Sequence, residues 1–394
     1  MIFHALEALA WLVTLAWVAK VIEAARGLPK IVDLRDPAWN RTPEEMPLLA
    51  VIVPARNEED NVESCLRSLL DQDYPSLRII AVNDRSTDRT GQIMETLAQA
   101  SPKRLSVLTI EQLPAGWLGK THAMARGAEL AGSVDWLLFT DADVIFRSDT
   151  LRRSLAYGIA AKTDHLVTVP TTITKSWGEA MILGLLQIFG MWATRPWKIA
   201  DPKSLRDVIG IGAFNLIRRE AYEQVGGFAA LRMAVIEDLG IGRRIKQAGL
   251  AQRISFGRGM VSLHWATGAM GLVRVMTKNM FSAFNFHLSL AAAACLWLAL
   301  FCIAPFAGVW VPGLQLPSAL IVLSLWLAYR LFGRTSGISS AHALLAPIAA
   351  SLLIYAAIRS AAITLWQGGI VWRGTFYPLA ELRRHAAPLR NKRN

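Results

Sequence analysis

Two aspartates separated by one residue, Asp141 and Asp143, follow the apolar run 136–139 after a single threonine. A buried strand that ends in two such carboxylates places both at the edge of its sheet, where they can share one cation. Carboxylate oxygens are hard ligands that suit magnesium or manganese. The pattern therefore predicts a Mg²⁺ or Mn²⁺ site on Asp141 and Asp143, although a solvated turn would show the same residues.

Two other apolar runs also end in polar residues. The run that contains Pro54 leads into Arg56 and Glu58, and the run 78–82 leads into Asp84. The carboxyl ends of neighbouring parallel strands meet at one edge of a sheet, and α/β sheets bind ligands there. Asp84 could accept hydrogen bonds from the base or ribose of a nucleotide, whereas an isolated Asp-x-Ser-x-Asp cluster is most often a helix N-cap.

Three further residues could act on a substrate at the same edge. Lys120 could neutralise phosphate charge, or it could be an ordinary exposed lysine at the start of a helix 121–130. Asp238 follows Glu237 in the first turn of a predicted helix, which the helix dipole alone would favour. It could equally be a general base that takes the proton of an acceptor hydroxyl. Gly212 lies in the small-residue segment 210–214, where backbone could approach a donor sugar.

Alternating strand and helix patterns must position these residues. The runs 48–53, 78–82, 105–109 and 136–139 read as buried parallel strands, and apolar residues recur between them at helical spacing. Such alternation predicts an α/β fold, a doubly wound, Rossmann-like sheet, over residues 44–275.

The composition indicates a membrane protein. Hydrophobic residues make up 53% of the 394 residues and charged residues only 18%. The net charge of +12 could favour binding to nucleic acid. With this apolar content it favours an anionic membrane surface instead, so we expect no nucleic-acid partner. The three cysteines have no paired spacing and predict neither a disulfide framework nor a zinc site.

The apolar segments lie at both ends of the chain. Residues 1–26 read as a retained transmembrane helix, because the segment lacks a basic start and a cleavage site. Residues 286–366 contain three more apolar runs and predict C-terminal transmembrane helices, followed by a basic interfacial tail at 367–394. The shorter run 180–193 is equally compatible with a core helix and with an interfacial membrane contact.

The positions of basic residues predict the orientation in the membrane. Arg26, Lys30 and Arg35 follow the first helix, which places the α/β domain in the cytoplasm. Four complete spans would then leave the basic tail outside, against the same rule. Either the region 342–371 is re-entrant or interfacial, which we favour, or the charge rule fails here.

Five segments resemble, in order, the motifs of family 2 glycosyltransferases with a GT-A fold over residues 48–255: VIVPARNEE, VNDRSTDRT, TDADV, GIGAFNLIRREAYEQVGGF and IEDLGIGRRIKQAG. The strings LPAGWLGK, TKNMF and VWRGTFY resemble the membrane-bound branch near ceramide glucosyltransferases. Within that branch the resemblance is strongest to the hopene-associated glycosyltransferases of bacterial hopanoid biosynthesis.

The resemblance implies a role for each candidate residue. Asp84 matches the nucleotide-binding aspartate of the family, Asp238 its catalytic base, and Lys120 a basic residue near the diphosphate. Asp141 and Asp143 match its DxD metal motif. Pro54, Arg56, Glu58 and Gly212 complete the implied nucleotide-sugar site. Such enzymes invert the anomeric centre without a covalent intermediate. The Gln-x-x-Arg-Trp signature of processive synthases is replaced by VMTKN at 275–279, which favours a single transfer.

We therefore expect an inverting glycosyltransferase that moves one sugar from a nucleotide-diphosphate sugar, such as a UDP-sugar, to a membrane lipid hydroxyl. A hopanoid or another polycyclic or sphingoid-like lipid would be the acceptor. A polyprenyl-phosphate acceptor would need no base, and a non-catalytic membrane scaffold could keep the same fold. A nucleotidyltransferase is disfavoured, because no glycine-rich phosphate loop follows the first strand.

Overall fold

The computed structural model describes residues 2–385 and divides the chain into two compact units. The sheet unit comprises Ile31–Thr171 and Lys198–His264. The helical unit comprises Thr172–Trp197 and the two ends of the chain, up to Lys30 and from Trp265. The predicted tail residues Arg390, Lys392 and Arg393 lie outside the described residues.

The strands of the sheet unit include the four that the sequence predicts. In chain order they are β1 (Val32–Asp33), β2 (Leu49–Ala55), β3 (Leu77–Asp84), β4 (Leu105–Ile110), β5 (Trp136–Phe139), β6 (Val144–Phe146), β7 (His165–Thr168), β8 (Thr171–Thr172), β9 (Asn215–Arg218), β10 (Gln252–Phe256) and β11 (Val261–Leu263). The main sheet has the order β1-β10-β7-β9-β5-β2-β3-β4. β5, β2, β3 and β4 run parallel, whereas β9 runs antiparallel to both β5 and β7. The sheet is therefore mixed.

Six helices lie in the segments that connect these strands. They are α2 (Val62–Leu70), α3 (Thr90–Ala100), α4 (Gly119–Ala131), α5 (Thr150–Ala160), α7 (Arg219–Gln224) and α8 (Glu237–Gln247). In α2 the buried residues Val62, Cys65, Leu66 and Leu69 recur at helical spacing, so one stripe of the helix faces the sheet.

Both faces of the sheet are buried, which makes the sheet unit doubly wound. Along β2, Val51 and Val53 belong to one hydrophobic cluster, whereas Ala50 and Ile52 belong to another. Side chains alternate across a strand, so these clusters lie on opposite faces. The near-continuous apolar sequence of β2 follows from this double burial.

The helical unit is formed by the remaining helices and one hairpin. The helices are α1 (Ile2–Gly27), α6 (Trp177–Ala193), α9 (Gly268–Ala283), α10 (Leu288–Leu298), α11 (Ala304–Gly308), α12 (Gln315–Ser336), α13 (Ala346–Gln367) and α14 (Leu379–His385). A π-helical stretch, Ala299–Ile303, joins α10 to α11. The hairpin consists of β12 (Gly369–Trp372) and β13 (Thr375–Pro378).

Four helical stretches are long and apolar enough to cross a membrane: Phe3–Lys30, Leu288–Gly308, Gln315–Ser336 and Ser340–Gln367. The first is longer than the sequence pattern indicates. Polar side chains in it find partners within the helical unit: Thr14 Oγ1 donates to the carbonyl of Pro317 at 3.0 Å, and Trp17 Nε1 to that of Phe301 at 3.1 Å. Such bonds satisfy groups that lipid could not.

The segment 180–193 lies in α6, most of which is buried inside the helical unit. Gly184 packs so closely against the ring of Tyr329 that a side chain at this position would collide with it. Of the two alternatives for this segment, the packing favours the core helix.

The C-terminal half of α9 and the link that follows it contact the C-terminal part of the helical unit. Arg383 Nη2 donates to the carbonyl of Phe286 at 3.1 Å, and the amide of Phe281 donates to Ser360 Oγ at 3.0 Å. The Lys278 ammonium lies 3.9 Å from the ring centroid of Trp372. The hairpin and α14 are thereby held beside α9.

Candidate active site

The loops that follow β2 and β3 are fastened to each other. The amide of Asn57 donates to Ser86 Oγ at 3.1 Å, and Asn57 Oδ1 accepts from the amide of Thr87 at 2.8 Å. The amide of Glu58 donates to Thr90 Oγ1 at 2.8 Å. These bonds make the two loops one continuous edge, as their position at the strand ends predicts.

Asp84 is the last residue of β3 and is buried. Its two carboxylate oxygens accept from Arg85 Nε at 2.7 Å and Arg85 Nη2 at 3.0 Å, a bidentate pairing. The first residue of α4, Gly119, packs directly on Asp84, and any side chain there would collide with the carboxylate. The ion pair with Arg85 and the packing of the first residue of α4 thus fix the position of the Asp84 carboxylate.

Lys120 is not the ordinary exposed lysine that was one sequence alternative. Its ammonium lies 2.6 Å from Asp141 Oδ1 and 2.7 Å from Glu237 Oε1, and its side chain is 23% exposed. Burial alone would lower its pKa, but the nearby charges of Asp141, Glu237 and Asp238 hold the pKa well above its ordinary value. Lys120 is therefore a fixed cation that joins the end of β5 to the start of α8.

Asp143 lies in a region of excess negative charge. Burial, together with the charges of Asp141 and Glu58, raises the pKa of Asp143 to about 6. Ionising this carboxylate therefore costs more in the folded chain than in water, and a bound cation would offset that cost.

The residues present could hold a divalent cation only as part of its ligand set. Among the described residues there is no group of three or more His, Cys, Asp and Glu side chains that could hold a metal. Asp141 and Asp143 could supply two carboxylates, and Mg²⁺ is commonly held by one or two carboxylates plus substrate phosphates and water. The charge excess at Asp143 supports such a site, in which substrate and water would supply the remaining ligands.

Asp238 is held by backbone amides in the first turn of α8. Its Oδ2 accepts from the amide of Gly212 at 2.9 Å, and its Oδ1 from the amide of Leu239 at 2.7 Å. Burial and the charge of Glu237 raise the pKa of Asp238 to about 7, against the opposing effect of Lys120. Such a carboxylate exchanges a proton near neutral pH, as a general base must.

Gly212 connects the two acidic positions. Its carbonyl accepts from the amide of Asp141 at 3.1 Å, while its own amide donates to Asp238. A Cβ at this position would lie 2.5 Å from Asp141 Oδ2. The absence of a side chain at Gly212 therefore allows the Asp141 carboxylate to approach the backbone, whereas the sequence suggested the approach of a donor sugar.

The predicted site residues fall into three groups. Lys120, Asp141, Gly212 and Asp238 form one connected cluster through the contacts above. Asp143 is linked to it by charge, and so is Glu58. Asp84 lies beside the cluster through Gly119, whereas Pro54 is a buried residue of β2 and Arg56 follows that strand.

Sequence reasoning did not find Glu237 as the second partner of Lys120. Acidic residues are common in a first helical turn, so their presence there carries little information. Only the fold brings α8 and α4 together.

Residues 50–237 match the family model described as Glycosyl transferase family 2. The 4,4'-diaponeurosporenoate glycosyltransferase of Staphylococcus aureus strain bovine RF122 / ET3-1 is 27% identical over 256 residues, which cover 64% of this chain and 65% of that protein. The protein of the same name from strain USA300 is 27% identical over 237 residues, covering 59% of this chain and 60% of that one. The chain thus spans less than two thirds of the length of these relatives.

Among solved structures, the mannosyltransferase PcManGT from Pyrobaculum calidifontis, in complex with GDP-Man and Mn²⁺, is similar. The identity is 20%, the TM-score is 0.51, and the match covers 92% of this chain and 99% of that one. At this identity the likeness concerns the fold alone. The predicted GT-A fold is confirmed.

Proposed function

We propose that this chain, whose residues 50–237 match the model of the family 2 glycosyltransferases, moves one sugar from a nucleotide-diphosphate sugar to the hydroxyl of a membrane lipid. The observation that carries the proposal is one cluster of contacts. Gly212 is hydrogen-bonded to both Asp141 and Asp238, and Lys120 forms an ion pair with Asp141. In this cluster Asp141 would belong to a cation site, Lys120 would neutralise phosphate charge and Asp238 would act as the base, and each of the three side chains is held by the contacts described above.

The donor would bind along the edge formed by the loops after β2 and β3. Asp84 would accept hydrogen bonds from the nucleoside, while Arg56 and Glu58 line the same edge and Pro54 shapes the end of β2. The mannosyltransferase with the similar fold is described in complex with GDP-Man. We expect a UDP-sugar here.

Asp141 and Asp143 would hold Mg²⁺ or Mn²⁺, the second of which accompanies GDP-Man in the similar mannosyltransferase. Bound there, the ion would act as a Lewis acid on the diphosphate leaving group. Lys120 would add a fixed positive charge near the same phosphates, since its ammonium contacts Asp141 at 2.6 Å.

Asp238 would take the proton of the acceptor hydroxyl as the hydroxyl oxygen attacks the anomeric carbon. The new C–O bond forms while the bond to the diphosphate oxygen breaks, so the configuration inverts in one displacement. Its raised pKa makes Asp238 a stronger base than an ordinary aspartate, which suits it to accept this proton.

The chemical class of the acceptor separates two candidate functions. The name of the curated relatives indicates a carotenoid acid, whose carboxylate is already ionised and needs no base. A polyprenyl phosphate would need none either. An anionic acceptor would have no proton for Asp238 to take, and the charge of the ionised Asp238 would repel it. We therefore favour a hydroxyl-bearing lipid of the hopanoid or a related class, with a lipid carboxylate as the second candidate.

The membrane would deliver such an acceptor. We assign residues 1–26 and 286–366 to membrane segments, 44–275 to the catalytic domain in the cytoplasm, and 367–394 to a basic tail at the surface of the inner membrane. The four apolar helical stretches support a membrane-associated enzyme.

The test is transfer by the purified chain from radiolabelled UDP-sugars, with Mg²⁺ or Mn²⁺, to a panel of lipids bearing a hydroxyl, a carboxylate or a phosphate. We expect labelled hydroxyl lipid, and loss of that activity in Asp238→Ala. Transfer to the carboxylate or phosphate lipid that survives Asp238→Ala would establish the alternative. Asp73→Asn, at an exposed ion pair with Arg152, is the control. A null donor-binding titration would instead indicate a scaffold.

A further inference from the structure

Three neighbouring strands of the sheet unit each begin with a buried polar residue: His165 in β7, Asn215 in β9 and Gln252 in β10. His165 and Gln252 are paired directly across the parallel strands β7 and β10. All three side chains are at most 2% exposed. Buried sheet positions are usually apolar, and burying polar groups is costly unless each finds a partner, so these three require an explanation.

The three side chains form one hydrogen-bonded network. His165 Nδ1 lies 2.9 Å from Gln252 Nε2, and His165 Nε2 lies 3.0 Å from Asn215 Oδ1. An amide nitrogen only donates, so His165 Nδ1 accepts and His165 Nε2 carries the proton that Asn215 Oδ1 accepts. Burial lowers the pKa of His165 to about 4, which keeps the ring neutral, as this pattern requires.

The outer ends of the network hold the backbone that precedes Gly212. Asn215 Nδ2 donates to the carbonyl of Ile211 at 2.8 Å. Gln252 Oε1 accepts from the amide of Ile209 at 3.2 Å, and Gln252 Nε2 lies 3.0 Å from the carbonyl of Ile209. The segment 209–211 is therefore held at both of its ends by side chains of the sheet.

The same network reaches α8, the helix that begins with Asp238. Gln252 Nε2 lies 3.2 Å from the carbonyl of Gly242. Two glycines let α8 touch the segment backbone to backbone. A Cβ at Gly242 would collide with the carbonyl of Ile209, and one at Gly210 with the carbonyl of Asp238.

We propose that His165, Asn215 and Gln252 act as a positioning unit, which keeps the amide of Gly212 on Asp238 and so orients that carboxylate toward the acceptor. The proposal rests on the proposed function in so far as Asp238 is the base. None of the three need touch substrate. Asn215 and Gln252 act through the backbone at 209–211, Gln252 also contacts α8, and His165 joins the two amides.

An ordinary stabilising role would affect folding without affecting the base, and the two roles give different results. The Gly212 amide stabilises the ionised form of Asp238, so loosening the segment raises the pKa of that carboxyl. The charged groups that face Asp238 are Glu237 on its own helix, Lys120 on α4 and Asp141 after β5. All of them remain in the variants below.

The variants are Asn215→Ser, which weakens one end of the network, and Gln252→Met, which keeps the shape of the side chain but removes its hydrogen bonds. Ser255→Ala is the matched control. It removes a buried hydrogen bond of 3.0 Å to Thr168 from the same pair of strands and leaves the network intact.

We expect kcat to fall about tenfold to a hundredfold in both network variants, with the KM for the donor little changed. The acidic limb of the pH profile of kcat should move upward by about half a unit or more. Peptides that cover 209–214 should exchange their amide hydrogens faster than in the wild type, whereas β2 and β3 should not change. Ser255→Ala should lower the melting temperature and leave the limb in place.

An unmoved pH limb and unchanged exchange at 209–214 in a folded network variant would overturn the proposal. If Gln252→Met does not fold, Asn215→Ser decides alone. Hydrogen exchange requires no substrate, so it tests the positioning unit even if the wild-type chain transfers no sugar. The absence of transfer would overturn the proposed function instead.

Discussion

The two ends of the candidate site differ in how the negative charge of their buried carboxylates is balanced. At one end, Asp84 is paired in bidentate fashion with Arg85 and covered by Gly119. At the other, Lys120 binds Asp141 and Glu237, while burial and neighbouring carboxylates raise the pKa of Asp143 to about 6 and of Asp238 to about 7. At the first end, a positive side chain of the protein pairs with the buried carboxylate. At the second end, the one ammonium of Lys120 does not prevent the pKa values of Asp143 and Asp238 from being raised.

The difference indicates which end has to change its charge during a reaction. A carboxylate whose partner is built into the fold can bind a neutral group of a substrate without altering its protonation. Carboxylates with a raised pKa are suited to take up a cation or a proton. The comparison therefore assigns recognition to the Asp84 end and chemistry to the Asp143 and Asp238 end.

The largest effect should follow the loss of a carboxylate from the Asp143 and Asp238 end. Asp143→Asn should reduce kcat on the order of a thousandfold, because a Lewis acid contributes several kcal/mol to the transition state. The metal-free variant should also melt at a higher temperature than the wild type at neutral pH. Ionisation of a carboxyl with a raised pKa destabilises the folded chain as the pH rises through about 6, and asparagine removes that charge. Steady-state kinetics and thermal melting check both expectations.

The matched control for this change is Asp149→Asn, because Asp149 is paired with Arg147 and Arg153 and its pKa is lowered despite partial burial. Removing a carboxylate with a lowered pKa should reduce stability and leave kcat nearly unchanged. If Asp143→Asn also lowered the melting temperature, the excess of negative charge at this end would be disproved.

A smaller loss should follow Gly212→Ala, because a Cβ there would lie 2.5 Å from Asp141 Oδ2 and displace it. Misplacement by about 1 Å can cost on the order of a hundredfold in kcat. Gly158→Ala is the control, since its Cβ would meet only the ring of Trp136 at an ordinary 3.6 Å. Equal activity of the two variants, measured by transfer assays, would show that Gly212 does not set the position of Asp141.

The dependence of kcat on pH should be the next largest effect. Asp238 can accept a proton only when ionised, so kcat should rise with pH and level off above its pKa of about 7. Below that value it should fall about tenfold per pH unit. A profile that is flat between about pH 5.5 and 8 would remove Asp238 from the chemical step and favour an acceptor that is already ionised.

The smallest effect on kcat should come from the Asp84 end. Asp84→Asn keeps the size of the side chain but loses the charge that pairs with Arg85, so we expect the KM for the donor to rise about tenfold or more. kcat at saturating donor should change little. A large loss of kcat with unchanged KM, measured over a range of donor concentrations, would contradict the division into recognition and chemistry.

Much of the fold could be predicted from local patterns. The strand 136–139 coincides with β5, and β2, β3 and β4 differ from their predicted bounds by one or two residues. Because β2 is buried on both faces, its sequence is apolar throughout and easily recognised. The antiparallel insertion of β9 between β5 and β7 was not predicted, since pairing between distant strands leaves no local pattern.

The candidate site divides in the same way. Asp84, Asp141, Asp143 and Asp238 could be found because each stands at the end of a strand or the start of a helix. The pairing of Lys120 with Glu237 and the role of Gly212 between two carboxylates depend on tertiary contacts. His165, Asn215 and Gln252 are far apart in the chain and match no motif, so only the structure brings them together.

The hydrogen bond between Arg383 and Phe286 restricts how the chain can be threaded through a bilayer. Two atoms 3.1 Å apart cannot lie on opposite sides of a hydrocarbon layer about 30 Å thick. In a membrane, the polypeptide between them would therefore cross the bilayer an even number of times and end on the side where it began. Three apolar stretches lie in that interval, so they cannot all pass from one leaflet to the other.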